Sequence, residues 1–396
     1  MKNKKHNKNR LKLRTDRILG LVALLLLLIA SILGYQRSLS DNEVILQSLL
    51  EQNQQFQLNS YNIYEVYQDE ASKEIGYIFS GEYMGYGGPL KVAILTDTNI
   101  VIQNLIITSH NETTSYVTKV LDRNLQRQII GKTYADEFEL DNDLDGVSGA
   151  TYTSRALAGA AKEATQKIAV EQANFQKPET ATPKVSFGFP EILLILLFAL
   201  SLYGVYSKVN WKKSLRWGIM IVSFIVLGLW LSAPLSILKI NTLLLGYWPE
   251  WHSSLYWYLL IGGALLTLLV TNKTIYCSWI CPFGCAQECL GEFGKAKYKI
   301  QGRSKDLLLW VQRALAFAAI AAALYFRNPG KLNFEIFGTF FNLTGSTTLF
   351  VLTAIYVLSS LFIKRPYCDT LCPIRPFGEF LLMIKKWIMP KKLQTQ

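Results

Sequence analysis

The chain contains six cysteines, and its chemistry begins with their spacing. Cys277 and Cys281 stand in TIYCSWICPFGCAQECLGEF, and Cys368 and Cys372 in RPYCDTLCPIRPFGEF, each pair within Tyr-Cys-x3-Cys-Pro. Cys285 and Cys289 continue the first motif at the same every-fourth-residue spacing. Thiolates at such short spacings are metal ligands. Zinc accepts them, but Cys-Pro is how ferredoxin-type cluster loops end, the proline turning the chain away and leaving the sulfur exposed. One 4Fe-4S cluster takes four thiolates, and Cys277, Cys281, Cys368 and Cys372 supply four. Cys285 and Cys289 are then spare, or help to hold a second centre.

A second stretch, DGVSGATYTSR at residues 145–155, opens an Ala-rich run of helix formers. Small and hydroxylated residues at a helix start are capping residues, with glycine supplying the bend. They are also where exposed backbone N–H groups can hold a phosphate. These residues alone leave both readings open.

The elements that carry these motifs are membrane spans. Half of the 396 residues are apolar, and six runs approach the roughly 20 apolar residues that cross a bilayer. They lie at about 18–34, 190–206, 217–234, 255–272, 307–326 and 345–363. The first follows the basic MKNKKHNKNRLKLRTDR but is long and lacks an A-x-A site, so it reads as an uncleaved anchor. Lys and Arg crowd the N-terminus and the connections at 207–217, 274–306 and 364–396, and are sparse at 235–254 and 327–344. The positive-inside rule then puts both termini in the cytoplasm and residues 35–188 outside. That outer segment carries twelve Lys and Arg against twenty Asp and Glu, a net of −8, so the remainder carries +20 to give the chain's +12. The basic charge thus serves membrane topology, and no nucleic acid is expected as a partner. The cysteine loops face a reducing compartment, which excludes structural disulfides. Of the three histidines, His6, His110 and His252, none lies in a span, which excludes a haem between paired His ligands.

The cysteine segments also repeat. Cys277 and Cys368 are 91 residues apart, while KINTLLLGY and KLNFEIFGT pair Asn241 with Asn333 and Gly246 with Gly338 at an offset of 92. Each half reads as span, outer connection, span and cysteine loop, and parallel repeats of this kind place their sites between the halves. The outer segment begins with a Gln-rich helical stalk at 35–58, continues as strands from Tyr61 through LIITSH, and ends in QKPETATPK, a Pro/Thr linker.

GYGGPLKVAIL, HNET and DGVSGAT together resemble the FMN-binding domain shared by the flavin subunits of Rnf and sodium-pumping NADH:quinone reductase complexes. That resemblance implies FMN joined through its phosphate to Thr151, with Asp145, Ser148, Gly149 and Ala150 completing the motif. Asp145 would serve the attaching flavin transferase or its metal. Within such a site Gly87 and Gly88 either let the backbone approach the isoalloxazine ring or simply form a turn, and His110, Glu112 and Thr113 are further candidates. Joined to spans bearing Cys-x3-Cys-Pro, the domain resembles NosR-like membrane flavoproteins, from which Cys285 and Cys289 depart as additions.

The fold expected is a membrane α-helical bundle of about six spans in two internal repeats, plus an extracytoplasmic α+β FMN-binding domain. Its divisions are a cytoplasmic N-terminus (1–17), an anchor (18–34), the extracytoplasmic stalk, domain and linker (35–188), and a polytopic module (189–396). The function expected is electron transfer between the cytoplasmic 4Fe-4S centre and the external FMN. A redox-sensing regulator or maturation factor with the same cofactors is the alternative. Partners would be an acidic cytoplasmic donor or a membrane quinone inside, drawn to Lys295, Lys297, Lys299, Lys364 and Arg365, and an acceptor outside. Tyr247, Trp248, Trp251 and Trp257 fit an interfacial aromatic belt better than a quinone site. The bilayer core of roughly 30 Å is too thick for one efficient electron hop.

Overall fold

A computed structural model describes the chain apart from residues 1–16, 38–46, 51–53, 60, 62, 69–72, 86, 113, 177–184, 186, 209, 253 and 389–396. The basic N-terminus, most of the Pro/Thr linker and the candidate Thr113 therefore lie outside the described residues.

The sheet-rich unit is a meander. Strands β1 (Gln54–Leu58), β2 (Tyr64–Gln68), β3 (Lys73–Met84), β4 (Pro89–Asp97) and β5 (Ile102–His110) pair antiparallel in sequence order. β1 falls inside the segment read above as a helical stalk. It pairs with β2 from Gln54↔Gln68 to Leu58↔Tyr64, and Phe56 meets Tyr64 edge-on at 5.2 Å. Cross-strand pairing thus settles what a polar, Gln-rich composition left undecided. Alternation sorts the sheet's two faces. Leu90, Val92 and Ile94 face one core, and Val66, Ile78 and Ala93 face a second with Leu49.

Helices α2 (Thr114–Asp122), α3 (Leu125–Ile129) and α4 (Thr151–Ala173) cover the first face. α4 buries Ala156, Ala160, Ala161 and Ala164, small residues that bring its backbone close to the sheet. A Cβ on Gly81 would come within 2.0 Å of Ala160 O, so glycine is required at that crossing.

Among the described residues four helices are long and apolar enough to cross a membrane: α1 (Arg17–Arg37), α5 (Phe189–Tyr206), α6 (Lys212–Trp230) and α10 (Arg303–Phe326). The other two runs form the shorter α8 (Leu255–Thr271) and α12 (Thr347–Ser359). α12 is about 20 Å long at 1.5 Å per residue, below the bilayer core's thickness. Ser346 caps its start, accepting from Leu349 N, and it ends at Ser359, four residues before the apolar run does. Short helices α7 (Ile237–Leu245) and α11 (Phe337–Phe341) fill the connections rich in neither Lys nor Arg. The cysteine segments form a π-helical turn (Tyr276–Ile280), α9 (Pro282–Phe293), α13 (Pro366–Thr370) and α14 (Ile374–Ile388).

The bundle has two distinct ends. α10 passes the cysteines at Gln312, whose Nε2 donates to Cys368 O and Cys372 O at 3.1 and 2.7 Å. Past its far end, Asn328 Nδ2 donates to His110 O of β5 at 2.8 Å. The sheet-rich unit therefore sits roughly 24 Å along the helix axis from the cysteines. A second tie runs from Thr242 Oγ1 in α7 to Gly87 O at 3.3 Å.

Candidate functional site

The four Cys-Pro motif thiols converge. Each of their six pairings is close enough that ionising one thiol raises another. Burial pushes all four up, Cys281 to about 12 and Cys372 well above its ordinary value, with charge repulsion among them adding to the rise. Thiols held together in this way ionise only against strong positive charge, which a metal centre supplies. Among the described residues no group of three or more His, Cys, Asp or Glu is placed to hold one metal ion. Four thiolates on one zinc, at about 2.3 Å each, would crowd within roughly 4 Å of one another. Four converging thiols are the number that one four-iron cluster takes, on separate irons.

Local structure explains the convergence. Pro282 at the first turn of α9 ends the π-helical turn at Cys281, and Phe283 and Gly284 N–H groups then point at the Cys281 sulfur. Gln287, buried in α9, donates to Cys368 Sγ at 3.2 Å and accepts from Tyr367 N at 3.0 Å, clamping the two segments. Arg365 donates to Cys277 O at 2.8 Å and pairs with Glu288 at 2.8 Å. Arg216 reaches the same Glu288 at 2.6 Å. The Nη2 of Arg365 is buried with no hydrogen-bond partner, a cationic donor beside the sulfurs. Lys295, Lys297, Lys299 and Lys364 are exposed, so Arg365 alone of the five basic candidates touches the thiol loops.

Cys285 and Cys289 stand apart. They lie one helical turn from each other in α9, their sulfurs 3.9 Å apart. Burial, then the neighbouring Cys289, pushes Cys285 up to about 12.

The second site surrounds the start of α4. Ala150 occupies the N-cap position with no side-chain cap bond, so the residue at the N-cap does not make the cap that the small, hydroxylated stretch suggested. Ser148, Gly149 and Thr151 are exposed, whereas Thr153 is buried. Gly149 turns the chain in with φ +75°, and a Cβ there would lie 2.9 Å from Lys119 Nζ. An ammonium over an uncapped helix start fits a phosphate. Asp145 is exposed, its N–H donating to Gln128 Oε1 at 2.9 Å.

Glu112 ties this turn to the glycine loop. It is only 2% exposed, accepting from Gly87 N at 3.1 Å and from Thr153 Oγ1 at 3.0 Å. What approaches Gly87 and Gly88 is Asn111: a Cβ on Gly87 would meet its carbonyl oxygen at 2.2 Å, and one on Gly88 its side chain at 2.9 Å. His110 Nδ1 contacts Glu112 O at 3.2 Å, and burial holds its imidazole below its ordinary value.

Sequence patterns did not reveal Lys119, Gln287 or Gln312. A signal existed only for Gln312, an amide inside an otherwise apolar span.

Residues 85–166 match the FMN-binding domain family, and residues 253–301 and 346–392 match the 4Fe-4S binding domain family. Protein NirI of Paracoccus denitrificans is 30% identical over 46% of this chain and 29% of its own length. Putative electron transport protein YccM of Escherichia coli is 30% identical over 33% of this chain and 40% of its own. Regulatory protein NosR of Stutzerimonas stutzeri is 23% identical over 53% and 32%. The chain thus spans 29 to 40% of the length of these curated relatives. Over parts of its length the chain is thus similar to an FMN-binding domain, to a paired 4Fe-4S binding domain and to these three relatives.

Proposed function

We propose that the chain carries electrons across the membrane, between one 4Fe-4S cluster on Cys277, Cys281, Cys368 and Cys372 and an FMN joined to Thr151. The bundle has about six spans in two repeats, both termini and the cysteines are cytoplasmic, and the FMN-binding domain is extracytoplasmic. The electron-transport name of YccM agrees with this role. The observation that carries it is the placement of the thiol cluster and the phosphate-ready helix start at opposite ends of one bundle. When bound, the cluster supplies one-electron transfer and the flavin one- or two-electron transfer. The chain's own residues position these groups: Gln287, Gln312 and Arg365 fix the cysteine loops, and Gly149, Lys119 and Glu112 shape the turn at Thr151.

A flavin transferase outside attaches the FMN, a low-potential donor or membrane quinone serves the inner end, and an acceptor takes electrons outside. The regulatory name of NosR brings a second reading, a redox sensor built from the same parts. Sustained electron throughput under excess donor and acceptor separates a carrier from a sensor. Anaerobic purification after co-expression with a flavin transferase should yield about four irons and four acid-labile sulfides per chain, with covalent flavin in the denatured protein. Zinc in place of iron, or no covalent flavin, contradicts this reading.

A further inference from the structure

A cavity lies where the sheet-rich unit meets the bundle. It is lined by Ser115 and Tyr116 of α2 and, from the bundle, by Asn333, Glu335, Thr339 and Asn342. Its volume is about 80 Å³ and it is partly open to solvent, room for the edge of a planar ring whose remainder stays outside. Two of its hydroxyls, Ser115 Oγ and Thr339 Oγ1, are buried without hydrogen-bond partners. Buried polar atoms left without partners mark a place where a ligand completes the bonding.

The cavity lies within reach of both proposed cofactor positions. Ser115 and Lys119 are four residues apart on α2 and so share one face, about 6 Å apart along its axis. Lys119 Nζ lies over Gly149, beside Thr151. A phosphate at Thr151 thus leaves the ribityl chain a short path along α2 to the cavity. On the other side, Phe337 also lines the cavity, and its ring is 5.7 Å from Phe283 and 5.8 Å from Tyr367. Phe283 follows Cys281 by two residues, and Tyr367 adjoins Cys368.

We propose that the polar edge of the isoalloxazine ring of the FMN on Thr151 enters this cavity, so that the bundle supplies part of the flavin site. The proposal rests on the assignment of Thr151 made above. Hydroxyl and amide groups of Ser115, Asn333 and Thr339 meet the polar edge of the ring. Glu335, 5% exposed, accepts from Ile237 N at 2.8 Å. Burial pushes it up to about 8, favouring the protonated form, which can donate to a ring carbonyl. Lys239, the charged group facing it from α7, is buried and lowered to about 7. Phe337 with Phe283 or Tyr367 then forms the wall between ring and cysteine loops. The long crossing becomes a step through packed aromatic rings.

The test is iodide quenching of flavin fluorescence in the intact, flavinylated protein, with Ser115→Trp and Asn342→Trp filling the cavity from opposite walls. Asn342 is exposed at the rim, so its replacement spares folding if Ser115→Trp does not. Covalent flavin on denaturing gels is measured first. Flavin retained in both variants, with quenching several-fold stronger than in wild type, is the result expected. Flavin retained with quenching unchanged in Asn342→Trp overturns the placement alone. Flavin absent from the wild type, or retained in Thr151→Val, overturns the Thr151 assignment and the placement with it.

Discussion

Gln287 donates to Cys368 Sγ at 3.2 Å while its carbonyl oxygen receives Tyr367 N at 3.0 Å. One amide from the first cysteine segment thus fixes two successive residues of the second. An N–H bond to a cluster sulfur favours the more negative, reduced state. Gln287→Leu should therefore lower the cluster's reduction potential and cost about 1–3 kcal/mol of stability, since Tyr367 N–H loses its partner. Redox titration followed by EPR measures the first effect and thermal melting the second. An unchanged or raised potential contradicts the role given to Gln287.

The four converging thiols and the separate pair make opposite predictions. Single Cys→Ser changes at 277, 281, 368 or 372 should each abolish the cluster's absorption and EPR signal. Cys285→Ser and Cys289→Ser should leave about four irons per chain. Loss of iron on changing Cys285 but not Cys368 would reverse the ligand assignment.

Thr151 and Thr153 lie two residues apart but face differently, Thr151 outward and Thr153 onto Glu112 at 3.0 Å. Thr151→Val should remove covalent flavin fluorescence from the denatured protein. Thr153→Val should keep the flavin and destabilise the domain by about 1–3 kcal/mol, because it strips a partner from a buried carboxylate. Fluorescence surviving in Thr151→Val rules that residue out.

His110 makes the flavin domain sensitive to acid. Burial depresses its folded value, and Lys331 adds to the effect, so the unfolded chain takes up the proton first. The stability it contributes is complete above about pH 6.5 and is lost as pH falls through the lower folded value. Melting temperature should drop from pH 7 to pH 5, and the drop should shrink in His110→Gln. An equal drop in the variant assigns the pH dependence to other groups.

Strands β2 to β5, the π turn's cysteines and the start of α4 were legible because each carries a local signal: alternation, Cys-Pro, or glycine before a helix. β1 was not, since its pairing with β2 is a tertiary choice that Gln-rich composition does not encode. The shortness of α12 was hidden because hydropathy counts the apolar Leu361, Phe362 and Ile363 after the helix has ended at Ser359. The FMN motif was legible as a motif, yet Lys119 lies outside it and reaches Gly149 only once α2 packs beside α4. Gln287 likewise becomes a clamp only when segments 80 residues apart are brought together.

Sidedness tests the central claim most directly. Right-side-out vesicles holding the flavinylated protein would be loaded with a membrane-impermeant, low-potential reductant, and flavin absorbance followed from outside. Wild-type flavin should bleach, while Cys368→Ser, with the same flavin content, should stay oxidised. Bleaching that persists in Cys368→Ser, or its absence in wild type carrying both cofactors, contradicts electron transfer from the thiol cluster to Thr151.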